Sequence, residues 1–436
     1  MSFWEEKIEV IERNELERLQ LERLRQTISQ AAQSPFYKNL FTGKGISSDS
    51  IKTLEHLQDL PLTTKDDLRS GRPEDFLAVS PQKVVRLHVS SGTTGTPTAV
   101  YHTMQDLDNW ADMVARCLCM AGVTPSDVFQ NMVGYGLFTG GLGLHYGAER
   151  LGVTVLPAGV GNSRRQINLM KNFGTSVIHI IPSYALKLIG TMADFGVNPR
   201  EELNLRIAVV GAEPYSEATR RRIENEYGLM VVNSYGLSEM NGPGVAFDCP
   251  HQTGLHLWED NYILEIIDPD TLEPLPAGQT GEVVLTTLCR EAMPLIRFRT
   301  RDLASIIPGD CLCGRTHRRL SRLQGRTDDM LILKGVNIFP MQVESVLMGL
   351  EETGRNYVIV VDKDGDLDKM TVRVEMSGSL FSAEEQAKDQ AHKKISQLLR
   401  DELLISPAVE LVDPGNLPSS EGKAVRVIDN RPKEAG

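Results

Sequence analysis

The sequence predicts an α/β protein. A large N-terminal domain should hold mostly parallel sheets covered by helices plus a local antiparallel unit, and a small α+β domain should follow at the C-terminus. Three observations lead there. From about residue 60 to 330, short apolar runs alternate with helix-like stretches. Those runs are near-continuously apolar, as strands buried on both faces must be. After GRTDD (325–329) the order becomes helix, strand, strand, helix and short strand within roughly 110 residues, an ordinary size for a small domain.

Taken in order, residues 4–34 read as helix, with Leu and Ile recurring at three- and four-residue intervals among charges. SPFYKNLF (34–41) and a polar stretch follow. VVRLHV (84–89) and TAVYHT (98–103) read as strands. VFQNMVGYG (128–136), GVTVLP (152–157), SVIHIIP (176–182), RIAVVGAE (206–213) and LMVVNSYG (229–236) are the buried strands. YALKLIGTMADFG (184–196) and EPYSEATRRRIENEYG (213–228) are helices between them. The segment 262–288 holds two strands around a Pro/Gly/Asp-rich turn, the antiparallel unit. The last region reads as helix 341–353, strands 355–363 and 369–376, helix 382–403 and a strand near 408–412. A boundary in the polar loop divides the chain into residues 1–327 and 328–436.

Bulk properties exclude several classes. The 436 residues allow two or three domains, and 24% charged with 41% hydrophobic residues is ordinary for a globular protein. A net charge of −12 argues against a nucleic-acid binder and against an anionic membrane surface. No apolar run of about 20 residues is present, so no transmembrane helix is expected. The charged N-terminus lacks a signal-peptide core, which makes a cytoplasmic location the expectation. Six cysteines are too few for a disulfide scaffold.

Several loops carry possible chemistry. SSGTTGTPT (90–98) is either a hairpin turn or a phosphate loop whose backbone N–H groups and hydroxyls wrap an oxyanion. It is not a Walker A loop, because Thr96-Pro97 follows Gly95. In NSYGLSEMNGPG (233–244), Tyr235 could lie against a purine or sit in the core, and Glu239 could hold Mg²⁺ by one carboxylate. Such a strand exit is where open parallel sheets bind ligands. VVGAEP (209–214) offers a similar exit. In RFRTRDL (297–303), Asp302 could accept from ribose hydroxyls, or the segment could be a salt-bridged surface strand. Gly422-Lys423 is a solvated turn unless it reaches a phosphate or carboxylate, where Lys is an effective mobile charge.

The order of SSGTTGTPT, SYGLSE, RTRD, GRTDDMLILKGVNIFP and a Gly-Lys near the C-terminus resembles the adenylate-forming superfamily of acyl-CoA synthetases, peptide-synthetase adenylation domains and luciferases. LPLTTKDDLR and TTLCREAMPLIRFRTRDL further resemble the phenylacetate–CoA ligase family, and the likeness covers essentially the whole chain. Thr96 departs from the commoner GTTGKPT, in which Lys is usual.

The resemblance implies an ATP-dependent, AMP-forming aryl-acid–CoA ligase. An acyl-adenylate forms first and CoA then takes the acyl group, with the small C-terminal domain mobile between the two steps. It implies phosphate contacts from Ser90, Ser91, Gly92, Thr93, Thr94 and Gly95. Gly211, Ala212, Glu213, Ser234, Tyr235 and Gly236 would line the adenine side, with Asp302 on the ribose and Arg326 beside it. Catalytic roles fall to Lys423, to Glu239 with Mg²⁺, and to Thr94. Asp328 would be the hinge, and Lys334, Gly335 and Val336 would face CoA. The acyl pocket is expected at Tyr135, Gly136, Phe138 and Gly140 of GYGLFTGG (134–141), with Pro243 nearby. Phenylacetate is the leading acid, with indoleacetate or a hydroxybenzoate as alternatives, and a non-CoA acceptor as another. A homodimer is also implied. A binding protein without turnover is the rival class, opposed by the presence of Lys423, Asp302 and Glu239 together.

A separate signal is metallic. Cys249, Cys311 and Cys313 with His256, or with His251 as the alternative, could form a closed tetrahedral Zn²⁺ site. Reduced core cysteines are the other reading. Cys289, in a strand, and Cys117 and Cys119, on a helix, are expected to be simple core residues.

Overall fold

The structure, a computed structural model, describes residues 2–90, 98–333, 336–364, 367–418 and 424–431. Its centre is a nine-stranded sheet. Thr154–Leu156, Val128–Asn131, Val177–Ile180, Ile207–Gly211 and Met230–Leu237 lie side by side and parallel, as their apolar sequences require. The sheet then continues antiparallel through Gly242–Asp248, Leu255–Leu257, Arg319–Leu320 and Ile306–Ile307. This extension was not expected. Asn241 and Gly242, both at positive φ, fold the chain straight back after Met230–Leu237, so the next strand must pair as a hairpin.

A second, four-stranded antiparallel sheet takes Tyr262–Ile267, Gly281–Thr287, Phe298–Ala304 and Gly325–Arg326 in that order. The first two are the antiparallel unit read from the sequence. The RFRTRDL segment is an interior strand and not a surface one, though it is salt-bridged. Arg297 pairs with Glu265 at 2.9 Å and Arg299 with Glu282 at 2.5 Å, while Asp302 is buried. Cys289 lies just past the Gly281–Thr287 strand and is half-buried, whereas Cys117 and Cys119 are core residues on the Met104–Met120 helix.

The N-terminal helix is broken into Glu6–Glu9 and Arg13–Ala31. Glu9 is the reason. It is fully buried, accepts from the Trp4 and Glu5 amides at 2.7 and 2.8 Å, and pairs with the equally buried Arg315 at 2.6 Å. A carboxylate turned inward cannot sit on a regular solvent-facing helix stripe.

The C-terminal part begins with the Leu331–Leu333/Val336–Ile338 hairpin. A four-stranded sheet follows in the order Ala408–Val412, Leu367–Met376, Thr353–Asp364, Val427–Asp429. The helices Pro340–Met348 and Glu385–Leu403 accompany it. Its apolar side chains Leu331, Val343, Leu347 and Ile359 belong to one core with Ile180, Val210 and Ile223 of the large sheet and its helices. Among the described residues no helix is long and apolar enough to cross a membrane.

Removing one partner of a buried ion pair strands the other charge, at about 3–5 kcal/mol. Glu9→Ala should lower the urea midpoint by that equivalent, whereas Glu15→Ala, at an exposed pair 3.7 Å long, should change it by less than about 1 kcal/mol.

Candidate active site

Of the expected residues, Gly211, Ala212, Glu213, Ser234, Tyr235 and Gly236 lie at or just past the carboxyl ends of Ile207–Gly211 and Met230–Leu237, where Gly211 stands opposite Ser234. A Cβ at Gly211 would run into the Ser234 carbonyl, and one at Gly236 into the Gly242 carbonyl, so both positions need glycine for close backbone approach. Ala212 follows at φ 69°, a conformation that an L-residue with a Cβ adopts only under strain from its surroundings. Next, the Glu213 carboxylate accepts from Ser183 N (3.1 Å) and Oγ (3.0 Å) and from Ala424 N (2.7 Å). A residue adjacent in sequence to Lys423 therefore touches the end of the parallel sheet.

Tyr235 is buried rather than open to a ring. Its hydroxyl donates to Asp302 Oδ2 at 2.7 Å, which joins the two sheets. Arg326 donates to Asp302 Oδ1 at 3.1 Å and to both Asp328 oxygens at 2.8 and 2.9 Å. The expected ribose carboxylate, its neighbour and the expected hinge thus form one chain of contacts. Burial pushes the Asp302 carboxyl above its ordinary range, against the pull of the Arg326 guanidinium.

Glu239 is buried, and two residues the sequence did not single out meet it. Lys65 Nζ lies 3.1 Å from its Oε1, and the buried Arg290 donates to its backbone carbonyl at 2.7 Å. Lys65 stands just inside a helix start capped by Thr64, and only its place in LPLTTKDDLR marked it in the sequence. Glu239 Oε1 makes no aligned hydrogen bond. Nor do the buried Ser90 Oγ, Thr98 Oγ1, Ser234 Oγ and Thr327 Oγ1. Buried polar groups ordinarily have partners, and of these atoms the Glu239 carboxylate oxygen is the one whose chemistry suits a cation. The strands Arg86–Val89 and Ala99–His102 pair antiparallel, so the 90–98 loop does join a hairpin. Ser91, Gly92, Thr93, Thr94, Gly95, Lys334, Gly335 and Lys423 lie outside the described residues. Val336 opens the second strand of its hairpin and is half-buried.

The expected acyl slot is only partly enclosed. Tyr135 is half-buried, with its hydroxyl 3.1 Å from His145 Nδ1. Pro243 packs beside Trp110, whose Nε1 donates to the Pro243 carbonyl at 2.9 Å. Phe138, named for the same flat apolar slot, is exposed in this structure. It precedes the Thr139–Leu151 helix, and its side chain is 53% exposed. Neither Gly136 nor Gly140 is pressed by a neighbour.

Cys249, His256, Cys311 and Cys313 are all buried, and their ligand atoms lie within 4.8 Å of one another. Cys249 Sγ and Cys311 Sγ are 3.6 Å apart, and Cys313 Sγ and His256 Nε2 3.3 Å. A Zn–S length of about 2.3 Å gives a tetrahedral edge of about 3.8 Å, so the residues fit a closed zinc site. His256 and not His251 is in the cluster. His317 instead accepts from the Glu259 amide at 3.0 Å and contacts the Ile8 carbonyl at 2.9 Å.

A family model of the AMP-binding enzyme matches residues 14–289, and one of the AMP-binding enzyme C-terminal domain matches 335–431. The chain belongs to the AMP-binding enzyme family. It is 43% identical to the phenylacetate-coenzyme A ligase of Escherichia coli (strain K12), over 97% of both chains. It is an AMP-forming acid–CoA ligase, using ATP to make an acyl-AMP intermediate.

Two structures of 2-hydroxyisobutyryl-CoA ligase describe the ligase's conformation. Each is 29% identical, covering 98% of this chain and 92% of its own. The postadenylation state in complex with 2-HIB-AMP superposes with a TM-score of 0.93, and the thioesterification state with 2-HIB-AMP and CoA with 0.73. This ligase therefore has its parts arranged as in the former. Tyr235→Phe, which removes one donor from buried Asp302, should lower its unfolding free energy by about 1–3 kcal/mol in a denaturant titration.

Proposed function

We propose that this is a cytoplasmic ligase that joins phenylacetate to CoA. The observation that carries the acid is the near-complete alignment, at 43% identity, with a phenylacetate-coenzyme A ligase. In the first half-reaction a carboxylate oxygen attacks the α-phosphorus of ATP, and the bond to pyrophosphate breaks. This exchanges a poor leaving group, hydroxide, for a good one, AMP. In the second, the CoA thiolate attacks the acyl carbon, and AMP leaves. In-line phosphoryl chemistry needs placement and charge neutralisation more than covalent help.

The residues divide that work. The 90–98 loop, with Thr93 and Thr94, takes the β- and γ-phosphates. Gly211–Glu213, Ser234 and Gly236 form the adenine side, with Tyr235 behind them on Asp302. Asp302 accepts from the ribose hydroxyls, oriented by the Tyr235 and Arg326 bonds already described. Lys423 neutralises charge between the carboxylate and the α-phosphate. Glu239 would hold Mg²⁺, which supplies charge neutralisation at the phosphates, and Lys65 balances that carboxylate otherwise. Tyr135, Gly136, Gly140 and Pro243 line the acid, with Phe138 at its entrance. Residues 1–327 and 328–436 act as two domains. Turning at Asp328 withdraws Lys423 and brings Lys334, Gly335 and Val336 to CoA. Cys249, His256, Cys311 and Cys313 would hold a structural Zn²⁺, which would staple their loops together.

AMP release should require ATP, Mg²⁺, CoA and phenylacetate together, and yield phenylacetyl-CoA. Release with a different acid alone would move the substrate, and pyrophosphate exchange without CoA-dependent AMP release would move the acceptor. Asp302→Ala should raise KM for ATP by about tenfold or more, the loss of hydrogen bonds to a charged group. Elemental analysis should find about one zinc per chain, lost in Cys311→Ser together with several degrees of Tm. Metal-free protein of unchanged Tm would leave the cysteines as reduced core residues.

A further inference from the structure

We propose that Glu344 is the positioning residue that holds the C-terminal part in the arrangement for adenylate formation, by completing a helix cap across the boundary between the two parts. The Glu217–Tyr227 helix of the large part starts at Ser216, whose Oγ accepts from Thr219 N at 3.1 Å. That is half of a capping box. The other half normally comes from a Glu or Gln at the third helical position, reaching back to the N-cap amide. Here that position is Thr219, which cannot reach. Glu344, on the Pro340–Met348 helix of the C-terminal part, takes its place: its Oε1 accepts from Ser216 N at 2.9 Å and from Thr219 Oγ1 at 2.7 Å. Its Oε2 accepts from Tyr357 OH, within its own part, at 3.1 Å.

All four residues are buried. The carboxylate lies at the positive end of the helix dipole, where negative charge is favoured. Charge-assisted bonds of this kind are the strong ones in a protein interior. Other bonds cross the same boundary, from Arg222 to the Thr353 and Gly354 carbonyls, both at 3.1 Å, but these leave no buried carboxylate to satisfy.

The position matters as much as the strength. The turn Glu213–Ser216 receives Ala424 at one end, through Glu213, and Glu344 at the other, through Ser216. Ala424 follows Lys423 in sequence. One turn beside Gly211 and Ala212 therefore sets the seat of the segment after the catalytic lysine, and Glu344 fixes that seat from a second point. If the C-terminal part turns away, Ser216 N–H and Thr219 Oγ1 lose the Glu344 carboxylate, which keeps only Tyr357. Glu344 thus favours one of the two states without touching substrate.

The inference rests on the proposed alternation of the two domains, and the experiment separates the two ideas. Both half-reactions are measured with whichever acid supports AMP release: ATP–pyrophosphate exchange, and thioester formation from supplied acyl-adenylate and CoA. Glu344→Ala, and Thr219→Val on the opposite side of the boundary, should each lower exchange by about tenfold, one charge-assisted hydrogen bond's worth. Thioester formation should be unchanged or faster in both, with Glu344→Gln intermediate. Thr219→Val leaves the C-terminal part untouched, so a folding defect there cannot mimic the result. Equal loss of both half-reactions, or loss of neither, overturns the role of Glu344.

A second variant tests the alternation itself. A Cβ at Gly349 would lie 4.0 Å from Ala218 Cβ, within the span of a disulfide. Oxidised Ala218→Cys/Gly349→Cys should form adenylate but no thioester until reduced. Thioester formation at the wild-type rate while oxidised overturns alternation and with it the inference. The expected lock combined with intact exchange in Thr219→Val and Glu344→Ala overturns the inference alone.

Discussion

Asp302 is a buried carboxylate that residues from separate strands must converge to satisfy. Tyr235 reaches it from the large parallel sheet, and Arg326 from the neighbouring strand of its own sheet. A charge held in the interior without such partners would protonate or expel its strand. Satisfying it fixes the distance between the two sheets at the edge of the site. Through Arg326 the same carboxylate is tied to Asp328, shortly before the Leu331–Leu333/Val336–Ile338 hairpin that opens the C-terminal part. The seat of Asp302 and the position of Asp328 are therefore one constraint.

The boundary is more than a linker. The C-terminal part shares apolar core with the large sheet, and its polar contacts gather on the turn after Gly211. Strain at Ala212 sits between the glycine that lets two strands close up and the glutamate that receives Ala424. Backbone strain persists where surroundings over-determine it, and here both sides of the boundary supply the determination.

A second hub lies away from the site. The loop carrying Cys311 and Cys313 also carries Arg315, which pairs with Glu9, and His317, which contacts the Ile8 carbonyl. The N-terminal segment is thereby fastened to the same loop that gathers the cysteine cluster. A buried set of three thiols and one imidazole, enough for four ligands, suits a structural staple.

Much of this was legible in the sequence. Continuous apolar runs gave the parallel strands, because a strand buried on both faces has no polar alternative. Cys249, Cys311 and Cys313 with a histidine are recognisable as a ligand set by residue type, whereas the close backbone approach at Gly211 and Gly236 shows only in the fold. What could not be read was how distant segments meet. The break at Glu9, the seat of Tyr235 on Asp302 and the approach of Lys65 to Glu239 each depend on a partner tens to hundreds of residues away. Local pattern determines which face of an element is apolar and which loops can bind phosphate. Only tertiary packing decides which buried charge finds which partner, because that choice is settled by desolvation, and desolvation exists only once the chain has folded.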